Sequence, residues 1–159
     1  MDRCVVPLIA DLRGVAGIEG SGCFFEHSNH LFLVTASHIA ESLAHSPEHV
    51  GVPTGAGGGS CITVGSGQLA FTETDQLDVA AFRIDEPSVR AAIRAAGYRI
   101  LNTTDVVQTP AIGAPAFVFG WPAVGAKVQG DVVRGAPVAM LLRVEGADDR
   151  SIQLEWPEA

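Results

Sequence analysis

The sequence predicts an all-β architecture, and three observations carry that expectation. Short apolar runs bounded by Gly, Pro, Asn or Asp recur about every ten residues, the rhythm of a barrel or sandwich. Apolar residues fill 47% of the 159 positions and charged ones 18%, so the chain can bury a core and does not read as disordered. Beyond a single turn, only one stretch has helical spacing.

The first strand is expected over residues 17–26 and the second over 31–35. Between them Ser28-Asn29 is flanked by two apolar runs, which is a hairpin signal. A short helical turn follows over 36–42, then a low-complexity loop over 51–60. Strands resume at 61–64, 68–72 and 78–84. Asp85-Glu86-Pro87 then opens a helix, with a cap, an acidic first turn and an early proline. Val89, Ile93 and Ala96 continue it at helical spacing, and Gly97 ends it. The last strands are expected over 116–121, 127–134, 138–145 and 152–156.

Charge and cysteine content exclude several classes of partner. A formal net charge of −8, with the basic residues scattered singly, argues against a nucleic-acid binder. Arg90 and Arg94 read as a solvated helix face. No run is long enough to cross a bilayer, so no membrane partner is expected. The apolar patch near the start is broken by Pro7 and Asp11, unlike a secretory h-region. Cys4, Cys23 and Cys61 are odd in number and lack framework spacing, which fits free thiols in a reducing compartment. A cytoplasmic protein is the expectation.

Two blocks carry chemistry. Leu33-Val34-Thr35-Ala36-Ser37-His38 puts an imidazole where an apolar strand turns into a short helix, a rigid mount for a general base. Taken alone, such a histidine is more often one that hydrogen-bonds a loop. In Gln76-Leu77-Asp78-Val79-Ala80-Ala81-Phe82 an aspartate opens an apolar strand, at the rim of the core. A carboxylate there can accept a ring N–H from a histidine and fix its tautomer. Taken alone, Asp78 could equally terminate the preceding turn, with Asp75 an equivalent neighbour.

Together, the Gly20-Ser21-Gly22 strand, the hairpin leading to Thr35-Ala36-Ser37-His38, and Asp78-Val79-Ala80 resemble the trypsin-like (chymotrypsin-fold) serine peptidases, particularly bacterial members. The run from Gly113-Ala114-Pro115 to Gly120-Trp121-Pro122 is similar to the strand that opens that family's second barrel. The resemblance extends from about residue 14 to the end of the sequence. It implies two perpendicular β-barrels with a cleft between them. Residues 1–13 would be an N-terminal segment, 14–85 a complete first barrel, 86–112 a helix and connection, and 113–159 a second barrel missing its last strands. His38 would be the general base and later acid, and Asp78 its orienter. The substrate would be a peptide or protein, with no metal or organic cofactor.

The sequence departs from the family's pattern at two places. Ser37 replaces the commoner alanine before the histidine, a small-for-small change. The nucleophile loop, Gly-x-Ser-Gly-Gly, does not follow the strand at 152–156. Ser21 lacks the strand-turn-helix context of a nucleophile, and Ser151 lacks flanking glycines. Cys23 and Cys61 fit buried structural thiols better. The chain alone is therefore expected to be inactive, with a partner chain or C-terminal fragment completing the second barrel. The alternative is a non-catalytic pseudoprotease that binds peptides or proteins through its open sheet edges.

Three other motifs weigh less. His45-Ser46-Pro47-Glu48-His49 matches an inverted zinc-peptidase pattern, but Pro47 would break the helix it needs. Cys23, His27 and His30 lack a fourth metal ligand. The glycine-rich run 55–60 precedes a strand rather than a helix and is no phosphate loop.

Overall fold

The computed structural model describes residues 3–12, 15–44, 50–54, 60–64, 69–71, 78–106, 109–122, 127–129, 132–148 and 152–155. The chain is mostly β. In order it forms β1 (Val5–Leu12), β2 (Val15–His27), β3 (His30–Thr35), α1 (Ser37–Leu43), β4 (Gly51–Pro53), β5 (Cys61–Thr63), β6 (Leu69–Phe71) and β7 (Ala80–Ile84). Then come α2 (Pro87–Ala95), β8 (Ile100–Asn102), β9 (Pro115–Gly120), β10 (Lys127–Gln129), β11 (Val132–Arg134), β12 (Val138–Ala147) and β13 (Ile152–Glu155).

Eight strands make one sheet in the order β5-β4-β1-β2-β3-β7-β6, with β8 also on β2. Strand β2 organises it. Its first part pairs antiparallel with β1, ending at Val5↔Cys23. From Phe24 onward β8 takes over that side in parallel, while β3 pairs along the other. The β2–β3 hairpin turns through Ser28 (φ 48°) and Asn29 (φ 64°), with His27 opposite His30. Two positive φ values in a two-residue loop match the right-handed strand twist, and Asn tolerates that region well.

Alternation then sets the core. Leu31, Leu33 and Thr35 of β3 point inward and lie opposite the inward Ile84, Phe82 and Ala80 of β7. Val6, Leu8 and Ala10 of β1 join them, with Phe24, Val52 and Ile62. Ala40 and Leu43 of α1 and Ile93 of α2 complete the cluster. Each fully buried aliphatic or aromatic side chain contributes roughly 1.5–3 kcal/mol. The helix over 87–95 starts with proline in its first turn, as expected, and Gly97 past its end has φ +74°, where a side chain would be strained.

A three-stranded sheet, β13-β12-β9, and the separate hairpin β10–β11 form the rest. Among the described residues after Ile93, only Leu142 and Val144 are buried. Phe117 and Leu141, directly opposed in register, are 65% and 73% exposed.

Several elements differ from the expected strand pattern. The N-terminal segment assigned to 1–13 contains β1, an inner strand; Pro7 is accommodated because β1 meets β4 only at Ile9↔Gly51, leaving few ladder bonds to lose on that side. The loop over 51–60 begins with β4, which pairs with β5. The single strand over 127–134 is two strands, with Gln129 opposite Val132. Asp78 precedes β7 rather than opening it. Among the described residues the large sheet is open: its outer strands, β5 and β6, are not paired with each other.

Candidate functional site: a histidine–aspartate pair

Strand β3 ends at Thr35, and Ala36 leads directly into α1, so His38 stands in the first helical turn on a rigid strand end. Ala36, at the N-cap, has no side chain that can accept a hydrogen bond. The first amides of a helix lack internal partners, and here a residue from elsewhere in the chain supplies them. Asp78 Oδ1 accepts the His38 backbone N–H at 3.0 Å. Strand β7 runs antiparallel beside β3, with Thr35 opposite Ala80, and this register brings Asp78 to the start of α1.

The other carboxylate oxygen meets the imidazole. His38 Nδ1 lies 2.6 Å from Asp78 Oδ2, across 40 residues of sequence. A carboxylate accepts only, so Nδ1 carries the hydrogen, and in the neutral ring Nε2 is left as the acceptor. No described residue hydrogen-bonds Nε2. The pair is open to solvent, with side-chain exposures of 67% for His38 and 56% for Asp78. The His38 backbone amide holds the Asp78 carboxyl below its ordinary value of 3.8, with the imidazole and the Ser37 amide adding to that effect. Hydrogen bonds to the charged form are the cause, not burial.

His38 and Asp78 therefore come together, with the carboxylate bound to both the ring and the backbone amide of the histidine. Ser37 lies beside them, and its Oγ is buried without a hydrogen-bond partner. An alanine there would leave nothing unsatisfied.

The other singled-out groups lie elsewhere or are engaged. Ser21 Oγ, on β2, accepts the Trp121 backbone N–H at 2.6 Å. Cys23 is half-buried and Cys61 is exposed, so neither is the buried thiol expected from the sequence; partial desolvation still pushes both thiols up, which lowers their thiolate content at neutral pH. Asp75, Ser151, the segment 45–49 and most of the glycine run fall outside the described residues. Among the described residues no group of three or more His, Cys, Asp or Glu side chains could hold a metal ion, so Cys23, His27 and His30 do not converge on one. His30 instead stands 4.0 Å from Asp85 and edge-on to Phe32. Glu26 binds both Arg90 and Arg94, so these arginines tie α2 to the β2–β3 hairpin, as well as facing solvent.

No helix among the described residues is long and apolar enough to cross a membrane. Compared with protein-family models and with curated proteins, the chain matches none.

The link between Ser21 and Trp121 is absent from the sequence reading. Its two members are 100 residues apart, and a serine flanked by glycines gives no signal of what its hydroxyl will meet. The anchoring of Asp78 by backbone amides was equally hidden, because only the folded register of β3 and β7 creates it.

Proposed function

We propose that this chain carries the base and orienter of a trypsin-like serine endopeptidase. The observation that carries this reading is the Nδ1–Oδ2 contact between His38 and Asp78, with the same carboxylate bound to the His38 amide. In that role Asp78 fixes the ring with Nε2 free. Nε2 takes the proton of an attacking hydroxyl, and Asp78 stabilises the imidazolium that results. His38 then returns the proton to the leaving amine as the peptide bond breaks and an acyl-enzyme forms. Water repeats the sequence and releases the acid.

The finer architecture belongs to the same proposal. The eight-stranded sheet with α1 corresponds to the first of two barrels, and β9, β12 and β13 to part of the second. The sequence holds no Gly-x-Ser-Gly-Gly loop, and none of Ser21, Cys23 or Cys61 suits the nucleophile. The attacking hydroxyl is assigned to none of these residues; a partner that supplies it is part of the same proposal. On this reading the chain alone is inactive; once joined by a nucleophile it acts, with no cofactor, on a peptide or protein in the cytoplasm.

A non-catalytic reading has one observation in its favour. The exposed Phe117 and Leu141 give the second sheet an apolar face of the kind used to bind other polypeptides. Labelling of the native gene product with a fluorophosphonate, read by intact mass, separates the two. The peptidase reading expects a longer or accompanied species that gains the label, and loses it in His38→Ala. A species of this mass alone, never labelled, would favour the binding module and remove the peptidase.

A further inference from the structure

We propose that Ser21 is a positioning residue that registers the second sheet against the His38–Asp78 pair. The inference rests on the reading of His38 as a base, and it assigns how the site's two halves are held together.

Ser21 joins two hydrogen bonds that run in different directions. Its Oγ accepts the Trp121 backbone N–H at 2.6 Å, and Trp121 follows directly on the end of β9. Its carbonyl accepts Thr35 Oγ1 at 2.8 Å, and Thr35 is the last residue of β3, three before His38. The continuous path is therefore Trp121 to Ser21 to Thr35, and then along the backbone into the first turn of α1. Thr35 is 7% exposed, so its hydroxyl has little access to water that could replace the Ser21 carbonyl.

The junction is also close. A Cβ on Gly120 would stand 3.1 Å from Ser21 Oγ, so a larger residue there would push the sheets apart at this hydrogen bond. Phe119 meets the Trp121 ring edge-on, with centroids 4.9 Å apart, which fixes the end of β9 from its own side. A displacement of β9 is thus passed to Ser21 and on to the strand end that carries His38.

The test uses the full chain and reads two signals. Hydrogen exchange at the Trp121 amide reports the inter-sheet bond, and the 15N shifts of the His38 ring report its Nδ1–H tautomer. In Ser21→Ala the Trp121 amide should exchange up to about tenfold faster, the scale of one lost hydrogen bond. The Nδ1–H signature of His38 should also collapse toward the tautomer average. Ser21→Thr, which retains the hydroxyl, should restore both. If Ser21→Ala does not fold, Thr35→Val cuts the second bond alone: the Trp121 amide should stay slow while the His38 signature is lost. Wild-type His38 shifts in whichever of these two variants folds would overturn the proposal. Neither signal depends on turnover, so failure of fluorophosphonate labelling would remove the peptidase reading and leave this coupling standing.

Discussion

The two sheets of this protein solve the burial problem differently. In the first, β1, β2, β3 and β7 contribute alternating side chains to one cluster, and α1 and α2 cover it; Val6, Leu8, Phe24, Leu31 and Leu33 are fully buried. In the second, Leu142 and Val144 are buried while Phe117 and Leu141, on the other face of the sheet, stay in solvent. The first region has a core of its own, and the His38–Asp78 pair is mounted on it. The second meets the first through contacts such as Ser21–Trp121 and leaves apolar side chains exposed. A pair held in fixed geometry needs rigid support, and the first region, with its own core, supplies it.

The largest expected effect breaks the comparison at its centre. Phe24→Ala removes a wholly buried ring and should cost about 3–5 kcal/mol in a denaturant melt. A cost under about 1 kcal/mol would mean that the first region is not the stable one.

Next comes Asp78→Asn, which should lower the melting temperature of the first region by weakening the anchor of α1. The sign of its pH dependence follows from the depressed carboxyl. Above the ordinary aspartate value of 3.8 the ionised Asp78 contributes its full stabilisation, and this is lost as pH falls through the lower folded value. Wild type should therefore lose stability faster than Asp78→Asn as pH falls from 3.8 through the lower folded value. Parallel acid titrations of the two proteins would contradict this.

Ser37→Ala should go the other way. It removes a buried hydroxyl without a partner and should raise stability by up to about 1 kcal/mol, measured by thermal or urea unfolding. A loss on the same scale would show that the hydroxyl has a partner in solution.

The smallest effect is expected from Leu141→Ser. At 73% exposure this side chain leaves water little on folding, so stability should change by no more than about 0.5 kcal/mol in a denaturant melt. A large destabilisation would mean that the second sheet does bury this face.

The sequence made local features legible and long-range ones less so. Ser28-Asn29 between apolar runs announced its hairpin, and Pro87 and Gly97 bracketed α2, because each residue acts on its own backbone. His38 and Asp78 were found through their motifs, and the structure brings them together. Strand β1 was missed since Val5 and Ile9 are apolar as well as Val6 and Leu8, which blurs the alternation, and Pro7 reads as a break. The three-residue β8 depends wholly on its parallel partner β2, so nothing local could reveal it. The split of residues 127–134 into β10 and β11 could have been read from Gly130-Asp131, a dipeptide that favours two-residue hairpins. The open large sheet and the exposed second face are properties of packing, and no local pattern encodes them.

The central claim is that the first region holds His38 as a pre-oriented base. The 15N spectrum of the histidine ring in wild type and Asp78→Asn, read for the neutral form of the ring, tests it most directly. The account predicts a single Nδ1–H tautomer in wild type, with Nε2 unprotonated, and mixed tautomers once the carboxylate is gone. Mixed tautomers in both proteins, or Nε2–H in wild type, would contradict it.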